Sequence, residues 1–287
     1  REYFLVEDTD QTADQDLLTE VIKQFYDQAP TVPPEILLPR EIEEARIISQ
    51  WLKNQRGGKK VQLVVPQRGE KKKMVAMAAE NACSMLESIR SQEISEHERA
   101  EGALNDLQTQ LNLSAPPMRI ETYDISNTQG SAMVGSMVVF LEGKPAKSHY
   151  RQFNIRSVQK PDDYASLEEV LRRRFQRFLI SREETQKPGG KTDPSFSSLP
   201  DLVIIDGGKG QLNRAVEVLQ ELDLLDTISI AGLAKRYEEV FLPGENYPVR
   251  FDKDSPGLHM LQRSRDEAHR FAITAHRKRR SRKGLES

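Results

Sequence analysis

The chain has 287 residues, 30% of them charged, with a formal net charge of −2 and a mean hydropathy of −0.63, which leaves room for two domains with many solvated helix faces. No apolar run approaches the ~20 residues that span a bilayer and there is no signal-peptide core, so a helical membrane protein is excluded and a cytoplasmic location is expected. The one cysteine, Cys83, excludes an internal disulfide and suits a reducing compartment; its surroundings, MVAMAAENACSML, predict a buried structural thiol.

Charge is unevenly placed. Residues 1–30 are acidic, while the other end carries Arg277-Lys278-Arg279-Arg280-Ser281-Arg282-Lys283, a run that suggests a polyanionic partner and has a solvated tail as its competing reading. The chain starts with Arg and stops in helical character, as an excised fragment would.

In chain order, residues 2–7 (EYFLVE) predict a strand, and Asp14 to Gln28 an amphipathic helix with Leu17, Val21, Ile22 and Phe25 on one stripe. Pro30, Pro33 and Pro34 end it. Glu35 to Leu38 predicts a short strand, Arg40 to Asn54 a helix, and Val61 to Val65 a buried strand. A long helix follows from Glu70 to about Leu111; its second part, SQEISEHERAEGALNDLQTQ, is mostly polar and is expected to project or connect rather than pack. Arg68-Gly69-Glu70-Lys71-Lys72-Lys73 suits phosphate contact or a solvated helix start equally well.

Ser114-Ala115-Pro116-Pro117 predicts the domain boundary, dividing the chain into 1–114 and 115–287. Beyond it Met118 to Ile125, Met133 to Leu141 and Lys147 to Ile155 predict an antiparallel meander. Asp162 to Ser181 predicts a helix capped by Asp162 or Asp163. Leu202-Val203-Ile204-Ile205 is a β-branched-rich apolar run cut off by Asp206-Gly207-Gly208, a strand buried on both faces. A helix to about Leu225, a strand from Ile228 to Leu233, a hairpin joining Phe241 to Val249–Phe251, and a last helix opened by Ser255-Pro256 complete the chain.

Asp206 therefore ends a central strand, where open α/β sheets place ligands. A carboxylate there needs a cationic partner such as a metal ion, or else it turns the chain and caps the helix; the stretch alone supports both readings. The element order from Met118, β-β-β-α-β-α-β-(hairpin)-α, is the ribonuclease H-like arrangement. The expected fold is thus α/β: a ribonuclease H-like catalytic domain, three antiparallel strands plus parallel strands flanked by helices, preceded by a smaller α/β domain. Asp124 falls in its first strand, Asp206 ends the fourth, and His269 sits on the last helix. Two carboxylates and an imidazole from those places suit Mg²⁺ or Mn²⁺. Asp266-Glu267-Ala268-His269 spells a helicase box but lies in a predicted helix, and Gly207-Gly208-Lys209-Gly210 lacks phosphate-loop spacing, so no nucleotide site is expected. His259 and His276 are the other imidazoles considered, His276 within the basic block.

DISNTQG (124–130), YRQFNI (150–155), DDYASLEEVLRRR (162–174), PDLVIIDGGKGQLN (200–213), GLAKR (232–236), SPGLHMLQRSRDEAHRFAI (255–273) and HRKRR (276–280) together resemble the UvrC family, the incising component of the excision nuclease of bacterial nucleotide excision repair. PPEILLP (33–39) and VPQRGEKKKMVAMAAENA (65–82) extend the resemblance into the first domain. It implies a DNA endonuclease making the metal-dependent incision on the 5′ side of a lesion. The family's catalytic set falls on Asp124, Asp206 and His269, with a further implicated aspartate on Asp163. Damaged double-stranded DNA and the UvrB helicase subunit are the implied partners. The helicase-binding hairpin is expected before Arg1, a helix-hairpin-helix module after Ser287, and no GIY-YIG module is seen. The first domain reads as non-catalytic, with a ribonuclease H-like core inferred from the family. Lys209, Lys235, Arg270, His276, Arg277, Lys278, Arg279 and Arg280 are the expected DNA contacts. Another ribonuclease H-like nuclease, of ribonuclease or transposase type, and a catalytically silent DNA-binding module are the rival readings.

Overall fold

The computed structural model describes residues 14–126, 133–156, 162–185, 193–234 and 239–283, with the backbone alone for 14, 15, 183–185 and 275–283. The expected strand at 2–7 lies outside the described residues. The chain divides into two compact units, Arg1–Ile94 and Ser95–Ser287. Among the described residues no helix is long and apolar enough to cross a membrane.

The first unit contains α1 (Asp14–Gln28), β1 (Glu35–Leu37), α2 (Ala45–Gln55), β2 (Gln62–Val64) and the first part of α3 (Gly69–Gln110). β1 and β2 pair in parallel, with Ile36 opposite Leu63. Ile22, Leu38, Ile42, Ile48, Leu52 and Val61 form its core. α2 starts five residues later than its sequence predicts because Ile42 closes a turn first, its carbonyl accepting from Ala45 N at 3.3 Å. Cys83 corrects an expectation: it is exposed, as are Met74, Met77, Met85 and Leu86 on the same helix. Alanine and methionine are strong helix formers, and here that propensity carries no burial with it.

The division falls inside α3, not at the Pro pair, and residues 95–114 belong with the second unit. The polar-looking end of α3 does pack: Ala100, Ala103, Leu104 and Leu107 are buried, followed by Leu111. Their spacing of three and four places them on one stripe, narrow enough to be masked by the polar residues between them.

The second unit is built on β3 (Arg119–Ser126), β4 (Val134–Leu141), β5 (Lys144–Pro145), β6 (Arg151–Asn154), β7 (Leu202–Ile205), β8 (Ser229–Ala234) and β9 (Glu239–Phe241). The helices are α4 (Asp163–Thr185), α5 (Pro194–Ser197), α6 (Lys209–Glu221) and α7 (Pro256–Lys283). Sheet order is β5-β4-β3-β7-β8-β9, with β6 also on β4. β4 is antiparallel to β3, β7 and β8 continue parallel to β3, and β9 returns antiparallel. This is the ribonuclease H-like fold. The strand expected over 147–155 is interrupted: Lys147–His149 makes a single tight turn, and pairing with β4 begins only at Arg151. The expected hairpin reduces to one bridge, Val240 to Val249, because β9 pairs along β8.

One face of the sheet buries Tyr123, Met137, Val203 and Ile205 against Leu167, Leu171 and Phe175 of α4 and Leu212, Ala215 and Leu219 of α6. The other buries Ile120, Val138, Leu202, Ile204 and Ala231 against Leu104 and Leu107 of α3 and Leu258, Leu261 and Ala268 of α7. Each fully buried aliphatic side chain contributes about 1.5–3 kcal/mol, so β7, apolar at all four positions, anchors both layers. Asp106 of α3 fastens the start of α7: its carboxylate accepts from Gly257 N at 3.0 Å and from the Ser255 hydroxyl, whose oxygen accepts in turn from Leu258 N at 3.0 Å.

Three charges lie in this core. Glu121 accepts from Arg119 Nη2 at 2.7 Å and from Arg174 Nη2 at 2.8 Å, and Tyr123 donates to its other oxygen at 2.6 Å. Burial pushes the Glu121 carboxyl up, but the Arg174 and Arg119 charges outweigh it and hold the group below its ordinary value.

Candidate active site

Asp124 is the sixth residue of β3, and the last registered pair with β7 is Tyr123 with Ile205. The next step of that parallel ladder is Asp124 beside Asp206, and Asp206 N donates to Tyr123 O at 3.0 Å. Neighbouring strands lie about 4.8 Å apart, so the two aspartates share one level of the sheet. They also share one face. Thr122, two residues before Asp124, reaches Ser264 of α7, and Ile204, two before Asp206, packs in the layer with α7. Both carboxylates are at most 9% exposed.

Asp206 does not cap α6. The cap position is Gly208, which has no side chain to offer, and Asp206 stands two residues before it. Gly232 of β8 gives the turn its room: a Cβ there would stand 3.0 Å from Gly207 O.

α7 delivers the imidazole. Leu261, Ala268 and Ala272 face inward as the periodicity predicts, and His269 Nδ1 lies 3.8 Å from Asp124 Oδ2, with the imidazole side chain 58% exposed. A cleft of about 410 Å³ is lined by Asp206, Arg265, Asp266 and His269. Among the described residues no group of three or more His, Cys, Asp or Glu side chains stands ready to hold a metal ion. Asp124, Asp206 and His269 thus converge on one region without forming a closed ligand cage. Their donor chemistry nevertheless fits a hard divalent ion. Two donors each about 2.0–2.1 Å from one Mg²⁺ lie at most ~4.2 Å apart, and the imidazole and the Asp124 carboxylate are within that span.

The other expected site residues are placed differently. Asp163 is exposed in the first turn of α4, where Asp162 is the cap, its Oδ1 accepting from Tyr164 N at 3.0 Å and Ala165 N at 3.1 Å. α4 packs on the opposite face of the sheet, and Asp163 does not line the cleft. Lys209 folds back onto the Asn246 carbonyl and lies 5.2 Å from the centre of the Phe241 ring. Arg270 is exposed and paired with Glu267 at 2.6 Å, one helical turn earlier. His259 is exposed near the start of α7. Lys235 lies outside the described residues, as do the side chains of His276, Arg277, Lys278, Arg279 and Arg280, whose backbone continues α7. Arg265 and Asp266 are the cleft residues that sequence reasoning missed; the signal for Arg265 is its position four residues before His269, on the same helix face.

The family model described as the UvrC RNAse H endonuclease domain matches residues 108–273, and the UvrC Ribonuclease H-like domain matches residues 1–89. UvrABC system protein C of Dehalococcoides mccartyi is 44% identical over 287 residues, 100% of this chain and 46% of the relative. Its counterpart in Moorella thermoacetica is 41% identical over 100% of this chain and 45% of its own length, and that of Syntrophotalea carbinolica 46% identical over 96% and 44%. The chain spans a little under half the length of these relatives. A solved endonuclease V of Ciona intestinalis in complex with DNA aligns over 57% of this chain and 63% of that one at 17% identity, with a TM-score of 0.27, too loose a superposition to bear on the site.

Proposed function

The chain belongs to the UvrC family, and from that premise we propose that its second unit is the endonuclease that makes the metal-dependent incision on the 5′ side of a lesion in nucleotide excision repair. The observation that carries this reading is the meeting of Asp124 and Asp206 at one level of adjacent parallel strands, with His269 Nδ1 3.8 Å from Asp124. Damaged double-stranded DNA is the proposed substrate and the UvrB helicase subunit the proposed partner.

Asp124 and Asp206 are the proposed carboxylate ligands of one or two Mg²⁺ or Mn²⁺ ions, and His269 the third donor. When bound, such an ion supplies Lewis acidity toward the phosphate and lowers the pKa of the attacking water. The protein's own part is placement. β3 and β7 are buried on both faces and bring the two carboxylates to one level of the sheet, where a hard divalent ion would find both as oxygen donors. His269, on the exposed side, closes the donor set without sealing the cleft against a duplex. Asp163, exposed in the first turn of α4 and outside the cleft, has only the family resemblance to support a part in this chemistry. Phosphate neutralisation by the Arg277–Arg280 run, Lys209, Lys235 and Arg270 gives position without sequence readout, which suits an enzyme directed to damage.

The test is Mn²⁺ titration of wild type against Asp206→Asn, with incision of a lesion-bearing duplex measured in parallel with cleavage of an RNA–DNA hybrid. Loss of both metal binding and duplex incision in the variant is expected. Hybrid cleavage in preference to the duplex would favour a ribonuclease. Metal binding unaffected by the substitution would refute the site.

A further inference from the structure

Among the described residues, Arg265 is the guanidinium that lines the cleft beside Asp206 and His269. Its side chain is only 14% exposed, although it comes from the same helix as His269, whose side chain is 58% exposed. Arg265 Nε and Nη2 donate to Asp266 Oδ1 at 3.2 and 3.1 Å. Asp266 is its sequence neighbour and 71% exposed. Arg265 also precedes His269 by four residues, which puts the guanidinium and the imidazole on one helix face, opening into one cleft.

Building on the nuclease reading above, we propose that Arg265 is a further catalytic residue, binding the non-bridging oxygens of the scissile phosphodiester. The guanidinium presents a planar fork of donors that matches two phosphate oxygens, and it stays charged at any working pH. In the hydrolysis the water oxygen bonds to phosphorus, the P–O3′ bond breaks, and negative charge grows on the oxygens that Arg265 would hold. A fixed cation placed there in advance stabilises that charge more than it stabilises the bound ground state. No proton or bond passes through Arg265. Its contribution therefore differs in kind from that of the carboxylates, and removing it should spare metal binding.

The experiment compares wild type, Arg265→Gln, Arg265→Lys and Asp206→Asn for Mn²⁺ affinity without DNA and for incision of a duplex carrying one fluorescein lesion. For Arg265→Gln, Mn²⁺ affinity unchanged or raised is expected, together with a loss of incision of about 100-fold that falls on kcat. Arg265→Lys should recover part of the rate, since it restores the charge without the fork. Incision by Arg265→Gln at the wild-type rate while Asp206→Asn is inactive overturns the proposal and leaves the nuclease reading standing. So does a fall in Mn²⁺ affinity matching that of Asp206→Asn, which would make Arg265 a support of the carboxylates. A wild-type chain that binds Mn²⁺ but cuts no duplex refutes the nuclease reading and this proposal with it.

Discussion

Thr122 of β3 donates a hydrogen bond to Ser264 of α7 at 2.9 Å, both side chains wholly buried. The bond ties the sheet to the last helix two residues before Asp124 and five before His269, and so sets the register in which these two meet. Ser264 donates onward to Leu261 O at 2.8 Å, which completes the chain of donors. Thr122→Val should lower stability by about 1 kcal/mol in urea unfolding, the ordinary worth of one buried hydrogen bond. Combined with Ser264→Ala, the loss should be smaller than the sum of the singles, since the pair interacts directly. Additive losses would show that the hydroxyls act separately.

A second prediction concerns acid. The carboxyl of Glu121 is held below its ordinary value by Arg174 and Arg119 against the effect of burial. Asp193, which burial alone would raise, is pulled down to about 2 by its hydrogen bonds from Arg151 and the Ser195 N–H. For carboxyls lowered in the folded state, the stabilisation is fully present above the unfolded values near 4 and disappears as pH falls through the folded ones. Stability should therefore decline steadily from about pH 4 toward pH 2. Glu121→Gln should cost about 3–5 kcal/mol at pH 7 by stranding two buried guanidinium groups, and should flatten that decline. Chemical unfolding across the pH range reads both effects; a variant with the wild-type acid slope would exclude Glu121 as a contributor.

The choice among imidazoles is a third. His269→Ala should abolish incision while leaving the far-UV spectrum and melting temperature nearly unchanged, because its side chain is 58% exposed and its shown contact is with Asp124. His259→Ala should retain most of the rate. Equal losses at the two positions would indicate an effect on α7 as a whole.

The basic end supplies a fourth. Replacing Lys278, Arg279 and Arg280 by Ala should weaken DNA binding alike for all sequences and reduce the salt slope by about one unit for each phosphate no longer neutralised. Fluorescence anisotropy over a range of salt concentrations measures this directly. A slope equal to wild type would identify the block as a solvated tail.

The strand ending in Asp206, the order of strands around it and the inward face of α7 could all be read along the chain, because each depends on local periodicity. Four consecutive apolar residues before Asp-Gly-Gly have few other uses, and the three- and four-residue spacing of Leu261, Ala268 and Ala272 marks a helix face whatever it packs against. That Asp124 and Asp206 lie in adjacent strands also followed, once three antiparallel strands preceded two parallel ones. What only the tertiary structure decided is where charge and polarity violate that periodicity. Arg174 and Glu121 look like surface residues in sequence and are wholly buried, because each supplies what the other needs 53 positions away. The stripe of Ala100, Ala103, Leu104 and Leu107 is too thin to announce a core helix until the sheet supplies its other half. Cys83 sits in apolar company that meets no core, and Asp206 could have been a cap until the backbone showed Gly208 in that place. Arg265 enters the site only through the face that α7 presents to the cleft. Pairings across long sequence separations leave no local pattern, since each residue's half of the interaction resembles an ordinary surface charge until its partner is in place.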